Sequence, residues 1–351
     1  MMLQQLLGVR LPIIQAPMAG VQGSALAVAV CHAGGLGSLP CAMLTPEAVR
    51  AEVALIRAQT QRVDGVPVPF NLNFFCHQLP AQVPAIETAW RARFADYYRL
   101  YGIDPATIQS APLRLPFNDE MAALVEEIRP AVVSFHFGLP EARLMDQVKR
   151  SGARIMSSAT TVEEALWLEA HGADIVIAQG LEAGGHRGMF LTSDMTTQMG
   201  TLALLPQIVG AVRVPVVAAG GIADAHGVKA ALSLGAAAVQ VGTAFLLCPE
   251  ATTSQVHRAA LQSPQARHTA ITNVFTGRPA RGIVNRVIRE LGPICPDAPP
   301  FPLAGSASAP LRTVAEIKGL GDFSPLWSGQ NATGCKPISA SLLTQDLARL
   351  V

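Results

Sequence analysis

Short apolar runs alternate along this chain with longer stretches whose apolar positions recur at helical spacing. The runs at 13–18, 36–39, 68–75, 131–137, 154–158, 174–178, 214–218 and 237–241 have the length and apolar content of buried strands. Helices are predicted between them, over 25–33, 45–60, 118–128, 140–151, 161–170, 200–212 and 225–234. Thr45 followed by Pro46 and Glu47 is one such start signal, because proline suits the first helical position and an acid the first turn. A longer helical insertion, 84–101, follows the third strand. Eight strand–helix alternations over about 230 residues predict a (β/α)8 TIM barrel. A doubly wound open sheet is the alternative, but its G-x-G-x-x-G fingerprint is missing after the first strand.

Beyond Cys248 the alternation stops. Residues 249–317 carry helical pieces at 255–262 and 283–291 and a proline-rich run at 293–310, which predicts a smaller second lobe over the barrel mouth. Residues 318–351 contain D-F-S-P-L-W-S-G-Q and a helix at 339–350, and are expected to return to the wall of the barrel formed by 1–248.

Composition narrows the partners. Half of the 351 residues are hydrophobic and only 5% aromatic, as in parallel sheets covered on both faces. A net charge of +1 without a basic block argues against nucleic acid. The longest apolar-looking stretch, 24–44, is broken by His32, glycines and Pro40, so no membrane span is expected. No secretory signal is expected either, since no basic residue precedes Arg10 and no cleavage pattern follows. The six cysteines show no C-x-x-C pair or metal-ligand spacing with histidine; they predict reduced thiols, a cytoplasmic location and no metal site.

Candidate chemistry gathers at the strand ends. In such barrels functional groups sit at the C-terminal ends of the strands, and the loops after the seventh and eighth often hold phosphate. Those loops here are Ala219-Gly220-Gly221-Ile222-Ala223-Asp224 and Gln240-Val241-Gly242-Thr243. Both offer backbone N–H groups beside a helix start, which favour an anion. The first strand ends in Ala16, Pro17 and Met18, a small surface for a planar ring. The third offers Asn71 and Asn73, and the fourth Ser134 and His136. The sixth offers Gln179, followed by Gly184, Gly185 and His186. Strand alternation places Ser134, His136 and Gly138 on one face and Phe135 and Phe137 on the other. The missing side chains of Gly184 and Gly185 would let a flat or anionic ligand approach the backbone. Glu182 is read as a cap or as a partner of Arg187, and Arg187 as a solvated charge or an added charge at the site. His32, His171 and His226 fall at helix ends, His257 and His268 read as surface residues of the second lobe, and His77 near the mouth is open. An apolar patch, several amides and a phosphate clamp suit FMN better than a sugar phosphate, whose isomerase or aldolase would want a carboxylate or lysine at a strand end.

Four blocks carry a family resemblance: Q-A-P-M-A-G-V at 15–21, F-N-L-N-F-F at 70–75, V-V-S-F-H-F-G-L-P at 132–140 and E-A-G-G-H-R-G at 182–188. They resemble the motifs of class I nitronate monooxygenases, formerly called 2-nitropropane dioxygenases. A-A-G-G-I-A-D and Q-V-G-T are similar to the FMN-phosphate loops of that superfamily. The resemblance implies FMN, molecular oxygen and alkyl nitronates of the propionate 3-nitronate type, oxidised to carbonyl compounds and nitrite. It makes His186 the catalytic histidine and His136 a second active-site histidine, with Gln179, Gly184, Gly221 and 240–243 contacting FMN. The family's active-site tyrosine has three candidates here, Tyr97, Tyr98 and Tyr101. An NADH-dependent flavin reductase of the same superfamily, acting on a quinone or an enoyl thioester, and a phosphate-ligand barrel without flavin remain open.

Overall fold

A computed structural model describes residues 3–61, 67–109 and 114–351. Its strands are β1 (Ile13–Gln15), β2 (Gly37–Pro40), β3 (Phe70–Phe75), β4 (Val132–His136), β5 (Arg154–Ala159), β6 (Ile175–Gln179), β7 (Gly185–His186), β8 (Val216–Ala219) and β9 (Ala238–Val241); β10 (Thr269–Thr272) and β11 (Ala280–Ile283) follow. All except β7, β10 and β11 form one parallel sheet in the order β1-β9-β8-β6-β5-β4-β3-β2. A bridge from Ile14 to Leu36 joins its two ends, so the sheet closes into a (β/α)8 barrel.

Burial on both faces explains why the strands read as apolar runs. Ile14, Leu36, Met156, Ile177 and Val217 fill the barrel interior, whereas Ile13, Val176, Ala218 and Val239 face the helical layer. The connecting helices start where the sequence provides caps. Thr45, Asn118, Thr161 and Asp224 each accept a hydrogen bond from a backbone N–H in the first turn of the helix that follows. Among the described residues no helix is long and apolar enough to cross a membrane.

A second core lies beside the barrel. Trp90, Phe94, Tyr97 and Tyr98, from the insertion after β3, pack against Phe275, Val287, Ala307, Leu311 and Phe323. The insertion and the segment after Cys248 therefore share one apolar cluster. The reading of 283–291 as helical needs correction. Residues 280–283 pair with 269–272 as an antiparallel hairpin, and the helix starts only at Arg286, after the cap Asn285. The proline-rich run likewise ends inside a helix, Gly305–Ile317, which carries Pro310 in its interior.

The tail returns to the barrel. Its helix, Ala340–Ala348, packs on the helix Ser24–Ala33, and residues 329–335 lace the loops after β8 and β9. Gly329 N–H donates to Thr243 Oγ1 (2.9 Å), Asn331 Nδ2 to the Gly221 carbonyl (3.1 Å) and Gln330 N–H to the Glu182 carbonyl (3.0 Å).

Candidate active site

A cavity of about 1240 Å³ opens at the C-terminal ends of the barrel strands. That exceeds the span usual for one small-molecule pocket, about 300–1,000 Å³, and leaves room for a cofactor and a second molecule. Ala16, Pro17, Met18, Asn73, Ser134, His136, Gln179, Gly184, Gly185 and His186 line it, together with Gly220, Gly221, Gln240, Gly242 and Thr243. Two expected contacts lie elsewhere. Asn71 is fully buried below the floor, where its Nδ2 donates to Ser38 Oγ (3.0 Å) and Ser134 Oγ (2.8 Å). Val241 turns its side chain into the helical layer, and its carbonyl accepts from Ala16 N–H.

The stretch 179–188 is built around the carbonyl of His186. Gln179 Nε2 donates to it (3.0 Å), and so does His136 Nε2 (3.2 Å). Because a carbonyl only accepts, His136 must carry its proton on Nε2, and Ser158 Oγ then donates to the bare Nδ1 (3.1 Å). Both nitrogens of His136 are thus engaged by protein, and burial pushes its pKa down to about 3. His136 lines the cavity, with its Nε2 on the His186 carbonyl and its Nδ1 on Ser158. Gln179 is similarly committed, since its Oε1 accepts from Gly188 N–H (2.7 Å).

The His186 ring is set by the second core. The strand β7 pairs with β11, Ala280 opposite His186. The imidazole Nε2 meets Thr276 Oγ1 (3.0 Å), from the turn between β10 and β11. Phe301, Trp327, Phe137 and Phe75 surround the ring, with centroids 5.3 to 6.3 Å away. Among the described residues Nδ1 has no hydrogen-bond partner. Burial pushes the His186 pKa well below its ordinary value, and His136, Arg114, Arg278 and His77 push in the same direction. An imidazole so placed is neutral at neutral pH, and its charged neighbours are cationic.

Phe137 belongs to this wall, not to the opposite face that strand alternation predicts. The strand ends at His136, and Phe137 adopts a left-handed conformation (φ 71°), which turns its ring back beside His136, 4.5 Å between centroids. Such backbone costs a non-glycine residue about 1–3 kcal/mol and persists where surrounding contacts enforce it. Here those contacts include the Arg278 guanidinium, 3.9 Å above the ring centroid.

Three other expectations change, and the reading of Glu182 as a cap holds. Arg187 is fully buried, and its guanidinium donates to Gln198 Oε1 (3.0 Å) and to the carbonyls of Gly180 (2.6 Å) and Gln179 (2.8 Å). It clamps the end of β6, and it is neither solvated nor a charge offered to ligand. Glu182 caps the helix Thr201–Ala211, accepting from Thr201 N–H and Oγ1, both at 2.8 Å. His257, expected at the surface, is buried and its Nε2 donates to the Trp327 carbonyl (3.0 Å). None of the tyrosines reaches the cavity: Tyr97 donates to Glu290 (2.5 Å), Tyr98 to the Ala307 carbonyl (2.7 Å), and Tyr101 packs on Phe323.

The glycines divide in purpose. A Cβ on Gly184 would stand 2.5 Å from Gly329 N and 2.6 Å from Ser328 C, so this glycine makes room for the protein's own tail. Gly185 has open space but needs φ of 72°. Around the loops after β8 and β9, the N–H groups of Gly221, Gly242 and Thr243 have no partner among the described residues, and Gln240 Oε1 is buried without one. Unmade donors of this kind suit an anion such as phosphate. Sequence patterns gave no sign of Thr276, Arg114 or Phe301, which reach the site from turns and loops without periodicity, and Ser158 lies in β5, a strand the sequence predicts, without being singled out. The tail motif at 322–330, by contrast, was visible, and it supplies Trp327 and Gly329.

A profile of the family described as nitronate monooxygenase matches residues 1–349. A nitronate monooxygenase of Pseudomonas aeruginosa is 42% identical over 98% of this chain and 97% of its own. Among solved structures, a nitroalkane oxidase from Streptomyces ansochromogenes superposes with a TM-score of 0.86 at 37% identity, covering 99% of this chain and 96% of its own. FabK from Thermotoga maritima does so with a TM-score of 0.70 at 25% identity, covering 99% and 94%.

Proposed function

The chain belongs to the nitronate monooxygenase family, and we propose that it oxidises alkyl nitronates with molecular oxygen, using FMN, to carbonyl compounds and nitrite. The observation that carries this reading is the setting of His186. A neutral imidazole among cationic groups, walled by aromatic rings, suits a substrate that arrives already as an anion. It does not suit removal of a proton from a neutral nitroalkane, because the same surroundings make the ring a poor base.

The residues fit a flavin mononucleotide. The unpartnered N–H groups of Gly221, Gly242 and Thr243 would hold its phosphate, and the small surface at 16–18 would receive its ring. The buried Gln240 Oε1 lacks a donor that a ligand N–H or hydroxyl would supply. FMN supplies the redox capacity when bound, and the chain supplies position and charge. His186 orients the nitronate, and its main chain is fixed by Gln179 and His136. The aromatic wall excludes water, which strengthens those interactions.

The test uses the purified, flavin-containing protein. Aerobic mixing with propionate 3-nitronate is expected to consume oxygen and release nitrite, while the neutral nitroalkane reacts at least about tenfold more slowly, a small fraction of what a poised base supplies. Anaerobic NADH is expected to leave the visible flavin spectrum unchanged. Rapid bleaching by NADH, with no oxygen uptake on nitronate, would identify a reductase and overturn the proposal. A colourless protein that binds only phosphate would overturn it in favour of a barrel without flavin.

A further inference from the structure

Two arginines line the cavity, and they differ in one respect. Arg312 is held by Glu316, Nε to Oε1 at 2.8 Å. Among the described residues Arg114 has no carboxylate within ion-pair distance and donates no hydrogen bond. It is partly buried, and its environment lowers its pKa through desolvation, with no acid acting on it. Arg187 and Arg281 are enclosed and satisfied, Arg187 by three acceptors and Arg281 by the Leu181 carbonyl and Thr269 Oγ1, whereas Arg278, outside the cavity lining, donates to the Met189 carbonyl and leaves only its buried Nε without a partner. A guanidinium carries five donors, and leaving them unmade away from water is costly.

The residue is also held in place. Its carbonyl accepts from His77 Nε2 (2.8 Å), and its Cζ lies 5.9 Å from the centroid of Phe301, the ring that packs on His186. It is therefore fixed on the His186 side of the cavity, where its charge is felt by that imidazole.

We propose that Arg114 is a specificity-determining residue, the docking cation for a carboxylate carried by the substrate at a distance from its nitronate group. The inference rests on the nitronate reading, and it assigns to this arginine the choice between carboxylated and neutral-tailed substrates. The planar fork matches a carboxylate with two parallel hydrogen bonds, which a lysine cannot reproduce.

The test compares propionate 3-nitronate with the nitronate of its methyl ester on the flavin-containing full chain, for wild type, Arg114→Gln and Arg114→Lys. In R114Q the acid-to-ester ratio of kcat/KM is expected to fall about 10- to 100-fold, the range of a hydrogen bond to a charged group. R114K is expected to fall between the two. An unchanged ratio in R114Q would overturn the assignment. Calorimetric titration with succinate, a dianion that does not react, gives a readout independent of turnover. Binding present in wild type and lost in R114Q supports the site even if no nitronate is oxidised, an outcome that would sink the functional reading alone. Succinate binding equal in wild type and R114Q would overturn the site, with unchanged melting temperatures showing that both proteins are folded.

Discussion

Arg187 decides the local geometry more than any other charged side chain near the site. It lies beside His186 in the chain, yet its guanidinium points away and ties together the carbonyls of Gln179 and Gly180 and the amide of Gln198. Those acceptors are buried, and each one left unpaired costs about 1–3 kcal/mol. Lysine keeps the charge but offers a single ammonium that cannot face all of them at once. Arg187→Lys is therefore expected to lose about 2–4 kcal/mol of stability, read as a lower urea midpoint. A loss below about 0.5 kcal/mol would mean that the group behaves as a surface charge. Burial also lowers this guanidinium's pKa to about 10, which fits a group held by neutral carbonyls and lacking an ion pair.

The loop after β6 is where three parts of the chain meet. The barrel supplies Gln179, the hairpin β10–β11 pairs with β7, and the tail crosses Gly184. Two adjacent glycines then have different reasons to be glycine, and alanine separates them. Gly185→Ala meets no atom but must hold φ of 72°, which costs about 1–2 kcal/mol. Gly184→Ala must push Ser328 and Gly329 aside, and with them the hydrogen bond to Thr243 in a proposed phosphate loop. G185A is expected to keep its flavin through gel filtration, whereas G184A sheds it and melts lower; equal retention by both would contradict this division. Much of the barrel was legible because parallel strands are apolar throughout and a start signal such as Thr45-Pro46-Glu47 announces a helix. The hairpin was not. A two-residue strand has no period to detect, and Arg281 inside β11 reads as a surface residue although it is buried against the Leu181 carbonyl. Phe137 misled for a related reason: parity along β4 holds only as far as His136, where the extended conformation ends.

Across the whole molecule, four histidines are kept neutral by the fold: His77, His136, His186 and His257. Burial is the largest cause in each, and the values fall to about 3 for His136 and about 4 for His257. A group whose folded pKa lies below its unfolded one, about 6.5 for histidine, binds fewer protons folded than unfolded. Stability therefore rises with pH across that interval and is lost as the pH falls below about 6.5. Each such histidine contributes a slope approaching about 1.4 kcal/mol per pH unit until its folded pKa is reached. Carboxylates held low by arginine partners, such as Asp119 beside Arg143 and Glu127 beside Arg50, act only at lower pH, below about 4.5. The two windows can be told apart. Urea midpoints are expected to be flat from pH 8 to 7 and to fall steeply between pH 6 and 5. His257 lines the same cavity and donates to the Trp327 carbonyl, and because the readout is stability and not turnover, it isolates one member of the set. Its replacement by asparagine lowers stability at pH 8 but should remove about 1.4 kcal/mol per pH unit from the acid slope. A slope in His257→Asn equal to that of the wild type would show that this imidazole is protonated in the folded protein. Midpoints that stay level down to pH 5 in the wild type would remove the neutral histidine set altogether, and with it the neutral His186 on which the proposed handling of an anionic substrate depends.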